Sequence, residues 1–541
     1  MSCVLVLGGY GGFGARISRR LANVGYEVLV AGRSFQRAQD FCRSLPGTVP
    51  LALDRADIAV ALQEQQPWLV VDASGPFQAM DYTVPQACIA AGVHYCDIAD
   101  GRSFVSGINA LHDAARRAGV CVIAGASSVP ALSGAIVRSL AQGAEQVTAV
   151  EMAISASNRA TAGPSVSAAI LSQMGQSFAR FEAGRWTEVH GWQTVVREDF
   201  SVCGVPPIRG RLVGDCDVPD LALLPERLPG RPAVVFRAGT ELGFQNRSLQ
   251  AAGWLVRKRL FVRILKLAPI LERLQRLTGR LGTDRSAMIV RLFGLVGGRR
   301  VERRFTLIAD RGDGPEIPAL AIPLIVNRIR SLAEEPGARD AGQSLAVEDF
   351  APAFANLAIT TETHEFEQPD PLYRRVMKAD FDLLPASLRD LHSVLRNGGA
   401  SGEAVVEGAE TKLGALIARA MRFPPAGRHP LHVQFHESAN VERWTRDFAG
   451  HSFTSELSEV EGLLQERFGP LRFRFELQRT ERGLAMRLVN WSAFALRLPL
   501  WLAPCSPAIE WEEAGLFHFD VPISLPGVGR LVHYRGWLRR T

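Results

Sequence analysis

The sequence predicts an α/β protein. It should have an N-terminal Rossmann-like, doubly wound parallel sheet, an α+β middle domain, and a mostly antiparallel β C-terminal domain with a few helices. Three observations carry this. An apolar run of strand length, Val4 to Leu7, meets a glycine cluster and then a helix-like segment. Strand and helix patterns then alternate as far as residue 124, the signature of a parallel sheet. From His432 onward short alternating strands dominate.

The opening turn is the most informative stretch. Gly9, Gly11 and Gly14 fit G-x-G-x-x-G between a strand and a helix. The first glycine should let the chain turn off the strand. The second should let backbone approach a pyrophosphate, and the third should let helix and strand pack closely. The phosphates would lie on the free N–H groups at the positive end of the helix. Gly8, Gly9, Tyr10, Gly11, Gly12, Phe13 and Gly14 together form the candidate cradle.

A second strand, 27–31, ends at Gly32-Arg33-Ser34. Many NAD-binding folds place an acid here for the ribose 2′-hydroxyl. Arg33 and Ser34 suit a 2′-phosphate instead, so NADP is expected over NAD. A third strand ends at Asp54, an expected adenine-side contact. The fourth, WLVVD, is apolar throughout, as inside a sheet covered on both faces. It runs into Ser74, Gly75, Pro76 and Phe77 at the carboxyl end, where such sheets bind ligands. Tyr95 and Asp97 follow on the next strand and are the candidate catalytic groups, Asp97 to orient substrate or relay a proton.

Composition narrows the function. With 541 residues the chain has room for roughly three or four domains. A net charge of +6 is modest for that length, and no nucleic-acid motif is present, so no nucleic-acid partner is expected. Lys258, Lys266, Lys378 and Lys412 are the only lysines, which removes a lysine acid or Schiff base from the first 257 residues. No tyrosine has a lysine four residues later, the pair that short-chain dehydrogenases use. The eight cysteines are scattered without a C-x-x-C pair, as in a reducing compartment, and no metal site is expected. No signal peptide and no transmembrane helix are expected. The chain reads as cytoplasmic.

The segments GGYGGFG, AGRS, DASGPFQ, GVHYCDIAD and VIAGASSVPALSG resemble the NADP-binding domain of the saccharopine dehydrogenase-like family. The likeness is close over about the first 150 residues and looser to about 360. It implies a nicotinamide-dependent oxidoreductase and a middle domain, for substrate and dimerisation, inserted into or appended to the Rossmann fold. It carries over the nucleotide site and not a substrate. True saccharopine dehydrogenases depend on basic residues around the substrate, and the cofactor half here has no lysine. The C-terminal runs LYRRVMKADFDLLPASLRDLH and LPLWLAPCSPAIEW resemble a bacterial domain of unknown function, DUF4166, which supplies no mechanism.

These readings divide the chain into 1–145 (NADP-binding), 146–362 (substrate or dimerisation), 363–371 (linker) and 372–541 (C-terminal domain). Arg237 and Glu241 bracket a glycine turn, either as a carboxylate clamp or as a structural pair. The stretch 254–281 places Arg259, Arg263, Lys266 and Arg273 opposite Leu260, Ile264, Leu267 and Leu271. Such a segment suits an anionic membrane face, peripheral to the inner membrane, and equally a domain core or a homodimer face. Gly398 to Gly402 reads as a flexible break. Two functional readings stay open. One is an oxidoreductase acting on a small or lipid-like substrate. The other is a non-catalytic NADP sensor or a lipid-binding, membrane-associated module.

Overall fold

The computed structural model describes residues 3–159, 164–258, 278, 279 and 281–541. The first sheet has seven strands, all parallel. Their order is Gly337–Asp340, Cys121–Ala124, His94–Asp97, Leu69–Asp72, Cys3–Leu7, Glu27–Gly32 and Thr48–Ala52. Successive connections leave Cys3–Leu7 in opposite directions, so a crevice opens at its carboxyl end beside Leu69–Asp72. Helices cover both faces, so Val4 to Leu7 and Leu69 to Asp72 are fully buried.

The seventh strand corrects the first domain boundary. Gly337–Asp340 joins Cys121–Ala124 after an excursion of some two hundred residues, and helix Ala321–Arg330 packs its buried face beside the opening helix Gly12–Asn23. The nucleotide-binding unit therefore does not end at 145. The middle domain is inserted into it.

That middle domain is a second seven-stranded sheet. It runs Val195–Val202, Val205–Asp215, Ala233–Thr240, Ala144–Ala156, Ser286–Val296, Arg299–Ala309 and Ile359–Glu367. Only Ala233–Thr240 beside Ala144–Ala156 is parallel. The expected linker begins inside its edge strand, because 363–367 pairs with Arg299–Ala309.

The C-terminal domain is a closed antiparallel barrel of ten strands. Asn397–Glu407 pairs on one side with Gly427–Ser438 and on the other with Gly529–Arg540. The ring closes where Leu471–Arg479 pairs with Gly483–Ala493, and the short Leu496–Leu498 is appended there. Closure leaves no free edge of the kind that invites aggregation. The interior is filled with aromatic side chains, among them Phe435, Trp444, Phe448 and Tyr534. Helices Leu372–Met377 and Ala386–Leu391 stop one end, where the Tyr373 ring stacks on His392 at 3.6 Å.

Gly398 to Gly402 is no flexible break, since it lies inside strand Asn397–Glu407. A Cβ at Gly399 would sit 1.9 Å from the Ala183 carbonyl oxygen, and one at Gly402 1.9 Å from that of Trp537. These glycines permit close backbone approach. The helix Gly243–Arg257 covers the start of the basic stretch, but 259–277 and 280 lie outside the described residues. No helix among the described residues is long and apolar enough to cross a membrane.

Candidate cofactor and substrate site

The strand Cys3–Leu7 delivers the chain to Gly8, whose φ of +70° lies in the left-handed region. Gly8, rather than Gly9, is thus the turning residue. A Cβ there would stand 2.8 Å from the Ala73 carbonyl oxygen. Gly14 packs the helix onto the turn, since a Cβ would come within 2.1 Å of the Gly8 oxygen. Gly11 differs. Its φ of −75° suits any residue, and an added Cβ would meet only the Gly8 oxygen, at 3.0 Å. The open side of Gly11 faces the cavity, and the helix that starts at Gly12 has no side-chain cap. Its first-turn N–H groups are left to an anion.

Gly8, Tyr10, Gly11, Gly12 and Phe13 line the cavity, and Gly9 and Gly14 stand behind them as packing. Tyr10 joins the two nucleotide turns. Its hydroxyl accepts from the Ser34 amide at 3.0 Å, and the Arg37 guanidinium lies 5.0 Å over its ring. Arg33 is exposed at the cavity rim with no ion pair among the described residues. Arg37, absent from the expected set, stands beside it on the lining. Ser34 does not line the cavity. Its hydroxyl caps helix Phe35–Cys42 by accepting from the Arg37 amide.

Asp54 lines the cavity and caps a short turn by accepting from the Ala56 amide at 3.1 Å. The next residue was missed in the sequence. Arg55 reaches the fully buried Asp72 and, at 3.3 Å, the Ser74 hydroxyl, while its Nη2 is buried without a partner. A signal existed, because an aspartate ending an apolar buried strand requires a partner. Ser74, Gly75, Pro76 and Phe77 all line the cavity. These residues fit a nicotinamide dinucleotide. The turn admits backbone-bound phosphate, an uncommitted cation stands at the rim, and an orphaned guanidinium N–H lies within.

Tyr95 and Asp97 are not brought to the cavity. Both are fully buried inside the parallel sheet and neither is part of the lining. Asp97 ties two loops together, its Oδ1 accepting from the Ala99 amide at 2.9 Å and the Gly125 amide at 2.7 Å. Burial pushes its carboxyl up to about 7, against those two hydrogen bonds. Asp97 therefore keeps its proton to higher pH in the fold than in the unfolded chain. The stability this contributes is complete below the ordinary carboxylate range and is lost between about pH 4 and pH 7. Asp97→Asn is expected to match wild type in thermal midpoint near pH 4 and to exceed it at pH 8. Equal midpoints at both values would show that folding does not raise the Asp97 carboxyl.

Beyond the cradle the cavity continues into the middle domain, with a total volume of about 1250 Å³. Residues of three neighbouring strands line it, among them Ile154 and Ala156, Phe236 and Ala238, and Ser286 and Met288. Helix Gly243–Arg257 closes it with Phe244, Leu249 and Ala252. The only arginines on the described lining are Arg33, Arg37 and Arg55, all on the cofactor side, and no lysine or histidine joins them. Two acids reach it besides Asp54. Asp100 accepts from Gln78 at 2.9 Å, and Asp217 is paired with Arg102. Burial raises both carboxyls above their usual range. Arg237 pairs with Asp215 at 3.0 Å and does not line the cavity, and Glu241 pairs with Arg211, so neither clamps a substrate.

Residues 4–123 match the saccharopine dehydrogenase NADP binding domain, and residues 384–538 match the domain of unknown function DUF4166. No curated protein sequence matches the chain. Among solved structures, apo saccharopine dehydrogenase from Saccharomyces cerevisiae is 12% identical, with 67% of this chain and 100% of that one covered and a TM-score of 0.46. An amine dehydrogenase from Mycobacterium smegmatis is 11% identical, with 63% and 95% covered and a TM-score of 0.34. The WlbA dehydrogenase from Thermus thermophilus, solved with NAD and α-ketoglutarate, is 11% identical, with 65% and 94% covered and a TM-score of 0.31.

Proposed function

We propose that this chain, whose first domain is of the saccharopine dehydrogenase NADP-binding type, is an NADP-dependent oxidoreductase acting on an apolar, lipid-like substrate. One observation carries the reading. The cofactor cradle opens directly into a large apolar chamber that has no cation on its described walls. A dicarboxylate amino-acid substrate would find no charge partner there, whereas an acyl or isoprenoid chain would be desolvated along the Ile154, Phe236, Leu249 and Met288 side chains. A non-catalytic NADP sensor has no use for such a chamber.

The bound nicotinamide supplies or accepts the hydride. The chain's own residues do the rest. Gly8 to Gly12 and the helix start hold the diphosphate, and Arg33 with Arg37 holds the 2′-phosphate. The apolar walls exclude water from the reacting pair. Asp217, whose carboxyl is raised by burial against the pull of its Arg102 partner, is the acid on the middle-domain wall placed to exchange a proton with the substrate. There it meets the one polar group of an otherwise apolar substrate.

Arg33→Asp is expected to weaken NADPH binding roughly 10- to 100-fold, the worth of a charge-assisted hydrogen-bonded contact, and to erase or reverse the preference over NADH. Titration of both nucleotides checks it, and a wild type without preference would refute the assignment. The reaction is tested with NADPH deuterated at the transferring carbon, incubated with a cellular lipid extract and read by mass spectrometry. Deuterium should appear on a lipid species. Ala238→Trp, which fills the chamber, should retain NADPH affinity and lose label transfer by about 100-fold or more. Transfer confined to polar metabolites would overturn the substrate class.

A further inference from the structure

We propose that the free end of the C-terminal barrel is a docking surface for an anionic phospholipid bilayer. The strand register brings five connections to this end. They are 408–426, between Asn397–Glu407 and Gly427–Ser438, and the turns at 449–450, 469–470, 494–508 and 526–528. Contacts between them hold the end together. The Phe494 amide donates to the Pro470 carbonyl at 3.1 Å, Cys505 bridges to Ser524, and the Thr411 hydroxyl donates to the Val528 carbonyl at 2.9 Å. The opposite end is stopped by helices and faces the rest of the protein through Arg396 to Glu151 and Arg300 to Glu437. One end is therefore committed, while among the described residues the other meets the dehydrogenase half by an ion pair only beside the 449–450 turn, where Asp447 pairs with Arg185 at 3.3 Å.

The uncommitted end is unusually apolar. Phe494, Leu496, Leu500 and Trp501 are 78%, 70%, 53% and 73% exposed. On helix Lys412–Ala420, which packs on the start of strand Gly529–Arg540, Leu413 and Leu416 are 55% and 66% exposed. Single exposed leucines are ordinary, but a cluster of leucines with a phenylalanine and a tryptophan at one pole is not. The ten-strand ring is closed and only the three-residue Leu496–Leu498 is appended outside it, so the cluster is not the rim of a long unfinished sheet.

Charge selects the occupant. The five connections carry four cations, Lys412, Arg419, Arg422 and Arg497, and one acid, Glu410. None of the four cations is ion-paired among the described residues, while Glu410 is engaged by the Arg530 backbone amide at 3.1 Å. A further exposed arginine, Arg472, flanks Ser492 on one side as Arg497 does on the other, so the two share a face. Tryptophan and leucine at an end that also carries cations without ion pairs among the described residues match the depth profile of an anionic bilayer surface. Apolar groups and the indole enter at headgroup level, and the cations remain with the phosphates. A second copy of the chain would bring the same net positive charge against itself.

The test uses the full chain and sedimentation with vesicles of phosphatidylcholine, alone or mixed with phosphatidylglycerol. Wild type should sediment with the mixed vesicles, less so as salt rises, and not with phosphatidylcholine alone. The combined variant Phe494→Ser, Leu496→Ser, Trp501→Ser should bind roughly tenfold more weakly or worse, with thermal midpoint and NADPH affinity unchanged. Arg419→Glu with Arg497→Glu should remove the preference for the anionic lipid while leaving the apolar cluster in place. Failure of wild type to bind, or equal binding by the serine variant, would overturn the proposal. So would a concentration-dependent dimer that the serine variant abolishes, because the surface would then join two copies of the chain.

Discussion

Gly11→Val should reduce NADPH affinity by about 100-fold or more while leaving the thermal midpoint near wild type. The contrast with its neighbours makes the expectation sharp. At Gly14 an added Cβ would overlap the Gly8 carbonyl oxygen at 2.1 Å, inside the protein, so Gly14→Ala must move helix or turn and lower stability. At Gly8 the positive φ adds backbone strain to a clash with Ala73. Gly11 has an ordinary extended φ,ψ of −75° and −179° and one tight contact, so the apoprotein can tolerate a side chain. What it cannot tolerate is a second occupant, because the valine would fill the space that phosphate oxygens need to reach the first-turn N–H groups. Isothermal titration with NADPH, alongside a thermal melt, separates the two effects. Unchanged affinity would mean that the dinucleotide lies elsewhere.

That contrast also shows what kind of information lay in the sequence. The cradle was legible because its pattern is local: strand, turn and helix start occupy eleven consecutive residues, and Gly11 and Gly14 answer to Gly8 within them. The seventh strand of the same sheet was not. Gly337–Asp340 is four residues long, and only its docking beside Cys121–Ala124 makes it a strand. Tyr95 and Asp97 were misplaced for a related reason. In a sheet covered on both faces every position is buried, so strand alternation cannot tell which side chain reaches a ligand. The residue that does reach it, Arg55, was hidden in a turn and is identified only by the buried Asp72 it satisfies. The glycines of the barrel misled in the opposite sense. Read one at a time, Gly399 and Gly402 mean freedom, but in the fold they meet Ala183 and Trp537 and mean contact.

Arg396→Ala should weaken the union of barrel and dehydrogenase half by about 3–5 kcal/mol and split a single thermal transition into two. Glu151 sits mid-strand in Ala144–Ala156, 7% exposed, and accepts from Arg396 Nε at 2.5 Å and Nη2 at 2.7 Å. The guanidinium also lies 5.0 Å over the Phe293 ring. Burial alone would raise the Glu151 carboxyl, but the hydrogen bonds and charge of Arg396 outweigh it and leave the carboxyl below its usual range. Removing Arg396 takes the hydrogen-bonding partner from a buried carboxylate and leaves it the charges of Arg237 and Arg291, so the uncompensated desolvation dominates the loss. The pH dependence follows from the sign of the shift. A depressed carboxyl contributes stability above the unfolded value and loses it as pH falls through the folded one. The two halves of wild type should therefore begin to melt separately only below about pH 4. Calorimetry from pH 3 to pH 8 checks both statements. Glu151→Gln, which keeps an acceptor and removes the charge, should fall between wild type and Arg396→Ala at neutral pH, because it leaves no buried anion unpaired. If Arg396→Ala melts as one unit at the wild-type temperature, the interface is held by its apolar contacts, and the ion pair only sets its register.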